Sequence, residues 1–106
     1  MASGILGQSD LIATTVTDVY TVPVGVLASL NVNVCNRNAT VVNIRLALSS
    51  VSGVQSASEY IEYDVAIEPN GVIERTGITM AAGDILTAYS DTVDVSVNVT
   101  GIEGAA

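Results

Sequence analysis

The chain is predicted to fold as an all-β domain, an antiparallel β-sandwich or jelly roll of about seven to eight strands. Three observations predict it. First, 36 of the 106 residues are β-branched, 17 Val, 9 Ile and 10 Thr, and such side chains pack well on a pleated surface and are stiff in a helix. Second, several segments alternate apolar and polar residues with a period of two, the pattern of a strand with one buried face. Third, these segments are separated by short clusters of Asn, Gly, Pro, Ser and Asp, which supply turns. No stretch shows a helical period of useful length.

The clearest strand is Ala28 to Asn36. Ala28, Leu30, Val32 and Val34 share one parity, and Ser29, Asn31, Asn33 and Cys35 share the other. Val41 to Leu48 follows, with Val42, Ile44, Leu46 and Leu48 opposed to Asn43 and Arg45. The polar link Asn36-Arg37-Asn38-Ala39-Thr40 reads as a hairpin connection, so these two strands are expected to pair. In Tyr60 to Glu68, Ile61, Tyr63, Val65 and Ile67 are expected on one face, with Glu62, Asp64 and Glu68 on the other. Pro69-Asn70-Gly71 is a turn. Val72 to Thr79 is the next strand, with Gly77 a bulge or a point of close approach. Asp84 to Ser90 is entered from Ala81-Ala82-Gly83, and Ser90-Asp91-Thr92 is short enough for a hairpin to the last strand. There Val93, Val95, Val97 and Val99 alternate with Asp94, Ser96, Asn98 and Thr100, and a slip of one residue would expose four valines. Asp18 to Val22 is a short strand ended by Pro23 and Gly25. Residues 1–16 read as an irregular lead-in or arm in which Ile5-Leu6 make a few ladder contacts, and 17–106 as the sandwich. The Ser-rich stretch Ser49 to Ser58 reads as a loop.

Composition narrows the chemistry. The apolar share is 49% but consists largely of small aliphatics, and only four tyrosines are present, with no Phe or Trp. Such a core leaves a place for stabilisation by partners. Eleven acids against three arginines give a net charge of −8, which disfavours phosphate-backbone binding to nucleic acid and attraction to an anionic membrane surface. With no His, Ser-His-Asp and Cys-His devices and imidazole metal sites are excluded. With no Lys, Schiff-base catalysis and the P-loop are excluded. The chain reads as no enzyme and needs no cofactor. Its single cysteine allows no intrachain disulfide. The first residues lack a basic n-region followed by an apolar core, and no apolar run is long enough to span a bilayer as a helix.

Some residues invite a sharper reading beside a bland one. Glu62 and Asp64 resemble a paired-carboxylate device, but acids alternating on a strand more often make a solvated face. Asp84, Asp91 and Asp94 could gather at a strand end around calcium, although no loop spacing supports it. Cys35 is either a small filler under a second sheet or neighbouring subunit, or an intermolecular bridge. Asn31, Asn33 and Asn43 are unusual in strands and fit a wet subunit interface built from side-chain amides. Asn38-Ala39-Thr40 and Asn98-Val99-Thr100 match the glycosylation pattern, accidental matches without a secretion signal.

The order of several short motifs resembles a known group. Leu6-Gly7-Gln8 precedes Val19-Tyr20-Thr21-Val22-Pro23 and Val34-Cys35-Asn36-Arg37. Tyr60 to Asp64, Ala81-Ala82-Gly83-Asp84 with Tyr89, and a closing valine strand follow. This order, over nearly the whole chain, resembles small β-sandwich virion structural proteins of tailed bacteriophages, including phages of cyanobacteria. The chain departs from them in placing Val24 and Val26 around Gly25. The resemblance implies a virion component in many copies, assembled in the host cytoplasm, with no catalytic residues. As head decoration or cement it would bind the major capsid protein or other virion proteins as a trimer or dimer. A tail, baseplate or fibre component is the alternative, and a sugar-binding module a third. The expected interface residues are Ile5 and Leu6 of the arm with Asn31, Asn33, Cys35 and Asn43.

Overall fold

A computed structural model describes residues 2–106 and contains eight strands: β1 (Ser3–Asp10), β2 (Thr17–Thr21), β3 (Val26–Asn36), β4 (Val42–Ser49), β5 (Tyr60–Ile67), β6 (Val72–Met80), β7 (Ile85–Ser90) and β8 (Val95–Ala105). The helical content among the described residues is one 3₁₀ turn, Ala57–Glu59. The strands form two four-stranded antiparallel sheets. Sheet A has the order β1-β8-β3-β6 and sheet B the order β2-β7-β4-β5. Apart from β4 to β5, every connection passes from one sheet to the other. Eight strands interleaved in this way make a jelly roll.

The alternation read in the sequence accounts for the core. Ala28, Leu30, Val32 and Val34 of β3, Val42, Ile44 and Leu46 of β4, and Val95, Val97 and Val99 of β8 are all buried between the sheets. Val93 precedes the last strand and is exposed. That strand instead continues through Gly101-Ile102-Glu103-Gly104-Ala105, because the eleven-residue β3 offers it a full-length partner.

Two expected hairpins are corrected. β3 and β4 lie in opposite sheets, as do β7 and β8. A polar link of a few residues can close a hairpin or arch the roughly 10 Å between packed sheets, and alternation does not separate the two. Here the asparagines of the link serve an arch. The buried Asn36 amide donates to the carbonyls of Thr40 (2.9 Å), Ile67 (3.2 Å) and Glu68 (3.1 Å), and its Oδ1 accepts from Asn38 N–H (2.8 Å). Asn38 in turn donates to Val93 O (2.7 Å). Three loops at one end of the sandwich are thereby tied together.

The lead-in is also corrected over Ser3–Asp10, which forms a strand paired with β8 rather than an irregular arm. Leu6 bulges inward against the core and Ile5 faces out. Gly7 is demanded by packing, since a Cβ there would lie 2.3 Å from the carbonyl oxygen of Val19 where β1 crosses β2.

The expected face pattern of β5 holds only for its second half. Tyr63 and Asp64 together oppose Arg45, and a second irregularity falls at Ile61. Asp64 has φ +52°, the left-handed region that Asp tolerates better than most residues. These bulges send Ile61 and Tyr63 out to solvent and turn Glu62 inward. Glu62 and Asp64 therefore do not share a face.

Candidate protein-interaction surfaces

The two flanks of the sandwich are closed by side chains. On one, Glu62 of β5, only 11% exposed, accepts from Arg75 of β6 (Nη2 2.5 Å, Nε 2.8 Å). On the other, the buried Tyr20 of β2 donates its hydroxyl to Glu103 of β8 (2.5 Å), whose other oxygen accepts from Ala2 N–H (3.0 Å). Burial and the Glu103 carboxylate raise the Tyr20 phenol well above its ordinary value. The Tyr20 hydroxyl and the Ala2 amide hold the Glu103 carboxyl below its own.

The outer face of sheet B is occupied by the chain itself. Arg45 of β4 forms a two-pronged pair with Asp64 (Nε–Oδ1 2.6 Å, Nη2–Oδ2 3.2 Å). Its guanidinium carbon lies 4.3 Å from the Tyr63 ring centre and 4.8 Å from that of Tyr89, the cation–π arrangement. Tyr60 meets Tyr63 edge to face at 4.9 Å. The bond to Arg45 lowers the Asp64 carboxyl and raises the guanidinium. Beside this cluster the Ser-rich loop 50–59 folds back on the sheet. Glu59 accepts from the N–H groups of Ser50 (3.2 Å) and Ser56 (2.8 Å), Ser52 donates to Asp18, and Gln55 donates to the buried Ser49 (3.4 Å). The cavity left beneath, lined by Val16, Arg45, Gln55, Tyr60, Thr87 and Tyr89 among others, measures about 20 Å³, room for one water. Three of the four tyrosines are thus engaged with Arg45, with one another or with the cavity wall, rather than set out as a stacking platform for a sugar ring.

The outer face of sheet A is bare. Its cross-strand register aligns Gln8, Asn98, Asn33 and Glu74 in one row. Within it Gln8 Nε2 donates to Asn98 Oδ1 (2.7 Å) and Asn33 Nδ2 to Glu74 Oε1 (3.5 Å). Neighbouring rows hold Asp10, Ser96, Cys35 and Val72, then Ile5, Thr100 and Asn31, then Ser3, Ile102, Ser29 and Thr79. Asn31 Oδ1 accepts from Gly77 N–H (3.3 Å) at the expected bulge of β6. At the far end Ile5, Leu27 and Ile102 stand exposed. Shallow depressions of about 300, 280 and 210 Å³ lie along this sheet.

Of the six expected interface residues, this face gathers Ile5, Asn31, Asn33 and Cys35, with Cys35 half-buried and free. Leu6 points into the core, and Asn43 lies on sheet B, bonded to Asp91 (3.1 and 3.4 Å). The face residues that sequence reasoning missed are Gln8, Asn98, Leu27 and Ile102. Their shared face is legible only from the pairing of β1 and β8 with β3. Asp84 precedes β7 and Asp91 follows it, so the acids considered for calcium stand at opposite ends of that strand. No group of three or more potential metal-ligating side chains occurs among the described residues.

No family model matches the chain, and no curated protein matches it. Among solved structures, it is similar to a pentameric capsid protein isolated from metagenomic phage sequences, with 18% identity and a TM-score of 0.45 over 92% of this chain. The match spans 62% of that protein's length.

Proposed function

We propose that the chain is a structural subunit of a phage virion, acting by contact between protein surfaces, and that its place is on the head as a decoration or cement protein. The observation that carries this reading is the unequal treatment of the two sheets. Sheet B is partly covered by its own loop, and its Arg45 is engaged by Asp64 and two tyrosines, of which Tyr63 stays exposed. Sheet A keeps an open, nearly uncharged face with depressions and exposed aliphatic residues. Open apolar and amide surface of this kind marks a binding surface. The motif order that resembles tailed-phage virion proteins supports the reading, and the jelly roll is an architecture used by viral capsid domains, an analogy at the level of fold.

All three arginines are paired with carboxylates, leaving the acidic surface without a positive patch for nucleic acid. The test is immunogold labelling of particles from a phage whose genome encodes the chain. Gold over heads is the expected result. Gold confined to tails overturns the decoration role, and particles free of label overturn the virion assignment.

A further inference from the structure

We propose that the outer face of sheet A is where two copies of this chain meet, in a face-to-face pair with a two-fold axis lying along the strands between β8 and β3. This goes beyond the virion reading, because it concerns what the isolated chain does with itself.

Charge selects the occupant. The molecule carries −8 overall, so copies repel wherever carboxylates are brought together. On sheet A's outer face the row positions include Glu74 toward one edge and Asp10 at a corner, where Arg37 pairs with it. The remaining acids lie on sheet B, in loops, or between the sheets with Tyr20 or Arg75. This is therefore the face on which two such chains approach with least repulsion. A two-fold contact also needs a self-complementary surface, and an amide is both donor and acceptor. A row of Gln8, Asn98 and Asn33 can meet its own copy, as a row of carboxylates cannot.

The geometry fits. With the axis along the strands, β3 lies over β8 of the second copy and β1 over β6. Amide row faces amide row, Glu74 of each copy faces Gln8 of the other, and the apolar end with Ile5, Leu27 and Ile102 faces its counterpart. Four strands about 4.8 Å apart and central strands of eleven residues give a footprint of roughly 700 Å² per copy. A pair would bury about 1,400 Å², within the standard range for specific complexes. The depressions give the facing side chains somewhere to interdigitate, as packed sheets require.

Sedimentation equilibrium of the purified full chain tests this. The expected species is a dimer. The double variant Asn33→Asp/Asn98→Asp sets new carboxylates against one another and raises Kd at least about a hundredfold, with an unchanged circular dichroism spectrum. Asn43→Asp, on the opposite face, leaves the dimer intact. A monomer at all concentrations up to about 1 mM overturns the proposal, as does a dimer indifferent to the double variant. Alkylation of Cys35 in the wild-type chain is an independent readout that needs no variant. Its rate falls as protein concentration rises if the faces meet, and concentration-independent labelling overturns the proposal. Each outcome is separate from the particle-labelling result, which concerns location.

Discussion

The strongest structural prediction concerns Asn36. Its side chain is fully buried at the end of β3 and serves three carbonyls and one N–H across two connections, β3 to β4 and β5 to β6. Asn36→Ala removes every one of these partners. Of the groups left behind, the Ile67 carbonyl lies in a buried contact, while those of Thr40 and Glu68 lie in part-buried ones. An orphaned buried polar group costs about 1–3 kcal/mol, whereas one that water can reach costs little. One fully orphaned group, with part of a second, gives a loss of about 2–4 kcal/mol. In a domain of this size that is a fall in Tm of roughly 8–25 °C. Urea unfolding followed by circular dichroism measures it, with Asn43→Ala on the outer face of sheet B as the control. Asn43 is exposed and its side chain makes a single long bond, to Asp91 (3.4 Å), so its removal should stay within about 0.5 kcal/mol. A loss at Asn36 no larger than that of the control would refute the claim that this amide ties the arches together.

Three further outcomes are expected. Gly7→Val pushes a side chain into the Val19 carbonyl and destabilises the fold by about 2 kcal/mol or more, read as a Tm shift; a neutral result would show that β1 and β2 can part. Arg75→Ala strands the inward-facing Glu62 and costs about 1–3 kcal/mol, while the apolar pair Arg75→Met/Glu62→Leu recovers most of the loss, a thermodynamic cycle that fails if the single and double variants are equally unstable. The pH profile of stability should fall on both sides. Asp64 and Glu103 have depressed carboxyls, so their contribution is present above the unfolded-chain values near 4 and is lost as pH falls through the folded ones. Tyr20 is raised, so its contribution is present below about 10 and fades as pH climbs further. Tyr20→Phe should flatten the alkaline limb of urea midpoints measured against pH, and an unchanged limb would sink the assignment.

The inward faces of the central strands were legible because burial on one side of a sheet leaves a period-two record. β3 and the valines of β8 carry it without interruption, and their mutual register has no irregularity. Partner choice left no such record. The links after β3 and β7 satisfy the turn chemistry of a hairpin and of an arch equally, and only the hydrogen bonds of Asn36 and Asn38 distinguish them. β1 was read only as a few ladder contacts at Ile5-Leu6 because Gly4, Gly7 and the bulge at Leu6 break its alternation, and the tail of β8 was missed because two glycines dilute its pattern. The residues of sheet A's open face were half legible. Asparagines in strands gave a local signal, but whether two of them share a face depends on sheet membership, which put Asn31 and Asn33 together and Asn43 on the other side.

The edges explain why association should run through a face. Sequence reasoning placed Ile5 and Leu6 of an N-terminal arm at an interface, and an unpaired edge commonly adds to a neighbour's sheet. In the structure each of the four edge strands is interrupted: β1 at Leu6, β2 at Val19, β5 at Ile61 and again at Tyr63-Asp64, and β6 at Thr76-Gly77. The interior pairs β3–β8 and β4–β7 run without a break. Bulges twist an edge and spoil the row of donors and acceptors that a new strand would need. They also perform local tasks, since the β5 bulge delivers both a ring and a carboxylate to Arg45, and the β2 bulge brings Val19 and Tyr20 inward together. A chain this rich in β-branched residues is at risk of edge-to-edge aggregation. Interrupting every edge blocks that route, and the proposed pairing through one nearly uncharged face supplies a defined one. Straightening an edge makes the point testable. Deleting Thr76 to remove the β6 bulge should convert soluble protein into higher-order assemblies detectable by light scattering, and a variant that stays soluble would mean that the bulges serve only their local contacts.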